Sequence, residues 1–280
     1  MSGFYSSLTF LLLAFVVSAG AQRTKAKQSE TIPETSLADQ VATAKPSILK
    51  IASPAGTGTG VIINDRGVVI TARHVVCCVA GTQNAFAEVE LQWIIPTQDN
   101  ELDGVESGNT VGTPATVLDV DAVNDLAILV PKLDFMHIDF VKMMKLDTIF
   151  PKAKETTKSA AKLQQEPLRE GDPIFISGYP LNFGALITTS GSIASSEPTA
   201  EGHTLKDVYW ADIHANHGNS GGPVFSMKTG KVIGIQAAIS LTQVENDASR
   251  KLAYNSGIAY IIPIKYAVNL LKKNRIPFEQ

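Results

Sequence analysis

From Val41 onward the apolar residues of this chain fall into short runs separated by turn signals, and that rhythm limits the folds open to it. Runs of this length are strands of an all-β sandwich or barrel; a fold alternating strand and helix needs longer periodic segments between its strands. The first half supplies runs at 47–51, 60–63, 68–71, 87–93, 115–120 and 125–131, with the turn Asn64-Asp65-Arg66-Gly67 joining the second to the third as a hairpin. Strands resume at 173–177, 185–190, 191–195, 208–213, 223–226, 232–239 and 257–262. Between the two sets, 132–170 is rich in charge and loses its alternation; 152–162 is polar, while 140–146 can bury a short helical turn. The expected organisation is one β domain at 41–135, an interdomain linker at 136–165 and a second β domain at 166–265, closed by a C-terminal helix and tail at 266–280.

Residues 8–17, LTFLLLAFVV, are followed by SAGA, in which Ala19 and Ala21 make the small-x-small pattern of a cleavage site, so 1–21 reads as an export signal. The run is shorter than the roughly 20 apolar residues of a spanning helix, and no stable membrane span is expected after cleavage. The preceding MSGFYSS carries no Lys or Arg, which leaves an uncleaved membrane anchor as the alternative. From 22 to 40 the chain is polar and reads as a flexible tether. With 44% apolar residues in 280, a sizeable core is available and disorder throughout is excluded. The formal net charge is −3 and the basic residues are scattered, so neither a nucleic-acid stripe nor a polybasic membrane patch stands out. Cys77 and Cys78 are adjacent and cannot staple distant segments; the favoured reading is two small buried hydrophobes rather than a vicinal disulfide or a redox switch.

Chemistry concentrates in HGNSGGPVF at 217–225. A serine hydroxyl is a poor nucleophile at neutral pH and needs a base within reach, an acid to orient that base and donors for the developing oxyanion. Gly218, two residues before Ser220, lets the chain turn so that the N–H groups of Gly218 and Ser220 can face one pocket. Alone, the stretch is equally a tight turn before a strand. His74, in VVITARHVV, follows a β run and singly is an ordinary structural histidine. Asp125, in AVNDLAILV, opens an apolar strand and singly is an ordinary turn aspartate. Together they occur in the order His, Asp, Ser on matching strand contexts.

With these pieces the chain resembles the trypsin-like serine peptidases, most closely their HtrA-like, bacterial-type branch. The matching segments are 56–76 (GTGTGVIINDRGVVITARHVV), 124–131 (NDLAILVP), 171–180 (GDPIFISGYP), 188–195 (TTSGSIAS), 217–225, 231–240 (KVIGIQAAIS) and 256–264 (SGIAYIIPI). The resemblance implies an all-β fold of two six-stranded antiparallel β-barrels with a short C-terminal helix, the site lying in the cleft between barrels. It implies that His74 is the general base, Asp125 its orienter and Ser220 the nucleophile, with the N–H groups of Gly218 and Ser220 as oxyanion hole. Ala237, Ala238 and Ile239 would pair with an extended polypeptide substrate. No cofactor is implied, and a homo-oligomer is compatible with the branch.

Departures from the pattern matter as well. Asn219 stands where trypsin has the aspartate that a new N-terminus neutralises, so that mode of activation is not expected. No PDZ domain of the HtrA type is expected after the second barrel. Cys77 and Cys78 follow His74 at the third and fourth positions, so the disulfide of the animal enzymes is not carried over. His214 occupies the resemblance's position for the base of the specificity pocket and is a substrate-binding candidate, although a small apolar pocket is the usual arrangement. His214 and His217 do not suggest a metal site: zinc needs three or four ligands, and only His203 lies near in sequence. The competing class is a catalytically silent domain of the same fold serving as a binding module.

Overall fold

The computed structural model describes residues 36–78, 84–95, 109–132, 160–165, 167–197, 207–245 and 251–280. The expected export signal at 1–21, the tether up to residue 35, the helical turn at 140–146 and residues 152–159 of the polar stretch lie outside them.

Helix α1 (Leu37–Ala44) precedes six strands: β1 (Ile48–Ser53), β2 (Gly56–Ile62), β3 (Val69–Ala72), β4 (Glu88–Ile95), β5 (Asn109–Asp121) and β6 (Leu126–Pro131). Six more follow: β7 (Pro173–Gly178), β8 (Ile187–Ser195), β9 (Tyr209–Asp212), β10 (Pro223–Ser226), β11 (Val232–Glu245) and β12 (Lys251–Pro263), then helix α2 (Ile264–Lys273). All pairings are antiparallel, and each set closes into a barrel, in the orders β1-β2-β3-β6-β5-β4 and β7-β8-β9-β12-β11-β10. Both expected six-stranded barrels and the C-terminal helix are present.

Strand periodicity explains why several strands read as unbroken apolar runs. Successive side chains point to opposite faces, and in β6 both faces are buried. Ala127 and Leu129 join Leu49, Val69 and Leu91 inside the first barrel. Leu126 and Ile128 face outward and meet Phe175, Phe225, Ile235 and Ile262 of the second barrel, together with Val268 and Leu271 of α2. The second barrel splits its strands the same way: Ile174, Ile176, Val224 and Ile261 point inward. At the centre of the shared layer, the Phe175 and Phe225 rings stack with centroids 4.7 Å apart.

Four local expectations are corrected. The tether does not reach residue 40, because α1 begins at Leu37: the Ser36 hydroxyl caps Asp39 N–H, and the Gln40 side chain donates to Met227 O at 2.7 Å. Only Leu37, Val41 and Ala44 touch the core from this helix, too few apolar positions to stand out in the sequence. Residues 185–190 and 191–195 do not form two strands but one, β8, running through Gly191. That glycine marks a close approach rather than a turn, since a Cβ there would meet Asp212 O at 2.1 Å. The β11–β12 hairpin is longer than 232–239 and 257–262: pairing continues out to Glu245 with Lys251, and consecutive residues at 241–242 and 253–256 are exposed, which blurs the alternation. Finally, Cys77 and Cys78 are joined as a vicinal disulfide. The Cys77 main chain is fixed by a bridge to Ala85, and Cys78 takes a left-handed φ of +74° that turns its side chain back on its neighbour.

Within the expected linker, 160–165 packs against both barrels through alternate residues. Ala161 N–H donates to Ile62 O of the first barrel at 2.9 Å, and Gln164 N–H to Val232 O of the second at 2.8 Å. Alternation buries Ala161 and Leu163 on one side of this strap.

Candidate active site

The first barrel delivers two of the candidates. At Ala72 strand β3 leaves the core, and a single 3-10 turn, Arg73–Val75, lifts His74 to the rim with its side chain 45% exposed. Asp125 sits at the mouth of β6 with φ +53°, a left-handed position in which aspartate is tolerated. Its turn is shaped by Asp121, whose carboxylate accepts from the N–H groups of Val123 and Asn124 and from the Asn124 side chain. The Asp125 carboxylate grips His74 at two points. One oxygen accepts the His74 main-chain N–H at 2.9 Å, and the other lies 2.6 Å from Nδ1. An acceptor at that distance places the hydrogen on Nδ1 and leaves Nε2 as the basic nitrogen.

Ser220 comes from the second barrel, in the 214–222 loop between β9 and β10. The loop is bolted to the first barrel through buried Thr59. Thr59 N–H donates to Ser220 O at 2.9 Å, and its hydroxyl donates to Gly218 O at 2.7 Å while accepting from Tyr179 N–H at 3.0 Å. Gly218 has φ +97°, and a Cβ on it would lie 2.3 Å from Tyr179 O, so no other residue fits there. Burial pushes the Tyr179 hydroxyl up to about 12, and it stays neutral. The N–H groups of Asn219, Gly221 and Gly222 all have main-chain acceptors; among the described residues those of Gly218 and Ser220 have none. His74, Gly218, Ser220 and His217 line one cleft of about 390 Å³.

The structure therefore brings His74, Asp125, Gly218 and Ser220 together. The Ser220 hydroxyl donates to Ala237 O at 3.3 Å. Strand β11 runs past the serine with Ala237 buried and Ala238 and Ile239 half-buried. Its last main-chain bonds on the β10 side are made by Gln236, to Gly221 and Gly222, so beyond it that edge has no strand partner among the described residues. His214 is exposed and lies outside the cleft wall; its carbonyl accepts from the Thr189 hydroxyl. No group of three or more His, Cys, Asp or Glu capable of holding a metal occurs among the described residues, and His203 lies outside them. Thr59 was not singled out from the sequence, because a threonine in GTGTG reads as any β-branched strand residue; its only signal is a polar side chain at a fully buried strand position.

Comparison with known proteins agrees with this frame. The description "Trypsin-like peptidase domain" matches residues 58–235, and the chain belongs to that family. Within it the similarity is to the HtrA and DegP proteins. A probable periplasmic serine endoprotease, DegP-like, of Rhizobium meliloti is 26% identical over 218 residues, which cover 78% of this chain and 33% of the relative. The mitochondrial serine protease HTRA2 of Drosophila grimshawi is 25% identical over 223 residues, covering 78% and 39%. The chain thus spans two fifths or less of these relatives' length. Among solved structures, the HtrA-type protease AlgW with a decapeptide superposes with TM-score 0.56 at 21% identity, covering 85% of this chain and 67% of the other. Deg5 gives 0.54 at 20% identity, covering 83% and 90%. These two likenesses are of fold.

Proposed function

We propose that the protein is an exported serine endopeptidase acting on extended polypeptide through an acyl-enzyme. The observation that carries this reading is the two-point clamp of Asp125 on His74 in the same cleft as Ser220 and two N–H groups without acceptors. His74 Nε2 takes the Ser220 proton as the oxygen attacks the scissile carbonyl, and Asp125 stabilises the resulting imidazolium. The Gly218 and Ser220 N–H groups receive the oxyanion. His74 then gives its proton to the departing amine, and water repeats the sequence on the ester. Substrate main chain on the acyl side adds to the open edge of β11 at Ala237 to Ile239. Export rests on the apolar run at 8–17 with its Ala19-x-Ala21 site, and on the periplasmic assignment carried by the name of the Rhizobium relative.

A second reading, a silent binding module, draws on the Ser220 hydroxyl pointing to Ala237 O. In the peptidase reading that contact is a resting rotamer which a side-chain rotation exchanges for His74. Labelling with a fluorophosphonate separates the two. The expected result is one covalent adduct, lost in Ser220→Ala and in His74→Ala, on a secreted protein whose mature N-terminus is Gln22. A folded protein that stays unlabelled supports the silent module instead.

A further inference from the structure

The cleft beside Ser220 has a wall that the triad chemistry does not use. From the first barrel it takes Ala55 and Thr57, at the β1–β2 turn, and Val75; from the second it takes Leu181 and Asn182, next to His217. Strand β11 is not among its walls, so the cleft lies on the side of Ser220 away from Ala237 to Ile239. If the acyl part of a substrate runs along β11, as the proposed function has it, this cleft receives the residues that leave with the amine.

The segment that closes the cleft is held in an unusual conformation. Leu181 and Asn182 have consecutive left-handed φ values of +53° and +56°. Asparagine tolerates that region; leucine rarely does. The geometry is pinned from three directions: Leu181 N–H donates to His217 O at 2.6 Å, Lys50 Nζ donates to the Asn182 side-chain oxygen at 2.7 Å, and Phe183 N–H donates to Pro180 O at 3.0 Å. The outcome is a large aliphatic side chain left 52% exposed in the wall of a cleft that also holds the nucleophile. A folded chain has no packing reason to hold leucine in this way, and strain of this kind points to a role at the site it borders.

We propose that Leu181 is a specificity-determining residue. It forms, with Ala55 and Val75, an aliphatic subsite for the side chain immediately after the scissile bond, and favours a leucine-sized apolar residue there over a charged one. The inference rests on the peptidase reading, and its test keeps the two apart. A set of peptides sharing one acyl-side sequence and differing only in the residue after the cleaved bond (Leu, Ala, Asp or Lys) is competed in one reaction. Because only rate ratios are read, the overall activity drops out. The wild type is expected to favour Leu over Asp by about tenfold in kcat/KM, the range one apolar contact supports. In Leu181→Asn, which keeps the left-handed backbone, and in Leu181→Gly, which keeps it with no side chain, the ratio is expected to fall to within about twofold of unity. A wild type without preference, or a ratio unchanged in both folded variants, overturns the inference and leaves the peptidase reading standing. Absence of cleavage together with absence of fluorophosphonate labelling overturns both.

Discussion

At the scale of single residues, the least conspicuous member of the site is Thr59. Its hydroxyl holds Gly218 O and Tyr179 N–H at once, with no water contact, while its own N–H holds Ser220 O. Thr59→Val keeps the volume and removes the hydroxyl, leaving a buried donor and a buried acceptor unpaired. We expect a loss of about 2 to 4 kcal/mol in urea unfolding, accompanied by a lower rate of fluorophosphonate labelling as the 214–222 loop loosens. Unchanged stability would mean that the two groups find other partners. His74, Asp125, Gly218 and Ser220, which the fold gathers at one place, were legible as candidates from residue type and chain order. Thr59 and Leu181 were not, since their roles depend on which segments fold against them. The pairing of Cys77 with Cys78 was the less favoured of the readings open there, because the left-handed backbone at Cys78 is not visible in the sequence.

At the scale of elements, α2 shows how the C-terminal segment is tied to the first barrel. Its Ile264, Val268 and Leu271 recur on one face and fill the shared layer. The residues at its end reach across to β5: Asn274 Nδ2 donates to Asp119 at 2.7 Å and Lys273 Nζ lies 2.8 Å from the same oxygen. Chiefly through Asn274, and then Lys273, the Asp119 carboxyl is held below its ordinary value of 3.8. A carboxyl lowered in the folded state adds stability above its unfolded value and loses it as the pH falls through the lowered one. Asp119→Asn is therefore expected to cost about 1 kcal/mol at neutral pH, with the gap to wild type closing below about pH 3.8. Equal gaps at pH 7 and pH 3 in denaturant melts would remove the charge from the account. The helix was legible from its spacing, and most strands from their β-branched runs. The outer half of the β11–β12 hairpin was not, because strands solvated on both faces carry no alternation.

At the scale of the whole molecule, the two barrels share more than a boundary. Leu126 and Ile128 of β6, Phe175 of β7 and Phe225 of β10 lie in one continuous apolar layer, which α2 and the 160–165 strap also enter. Separating the barrels would expose that layer, so neither is expected to outlive the other. Urea unfolding followed by tryptophan fluorescence and by far-UV circular dichroism should give one coincident transition. Two resolved transitions would show that each barrel stands alone.

The bond from Thr59 N–H to Ser220 O joins the same two barrels, and it ties the readiness of the site to the unity of the fold. On the proposed reading, the acid–base pair His74 and Asp125 comes from one barrel and Ser220 with its N–H donors from the other, so the site exists only where the two are packed together. A chain that has not yet packed its two barrels together therefore carries no assembled site. Hydrolytic capacity then arrives with the single folding transition itself, and a half-folded chain is harmless to its neighbours and to itself.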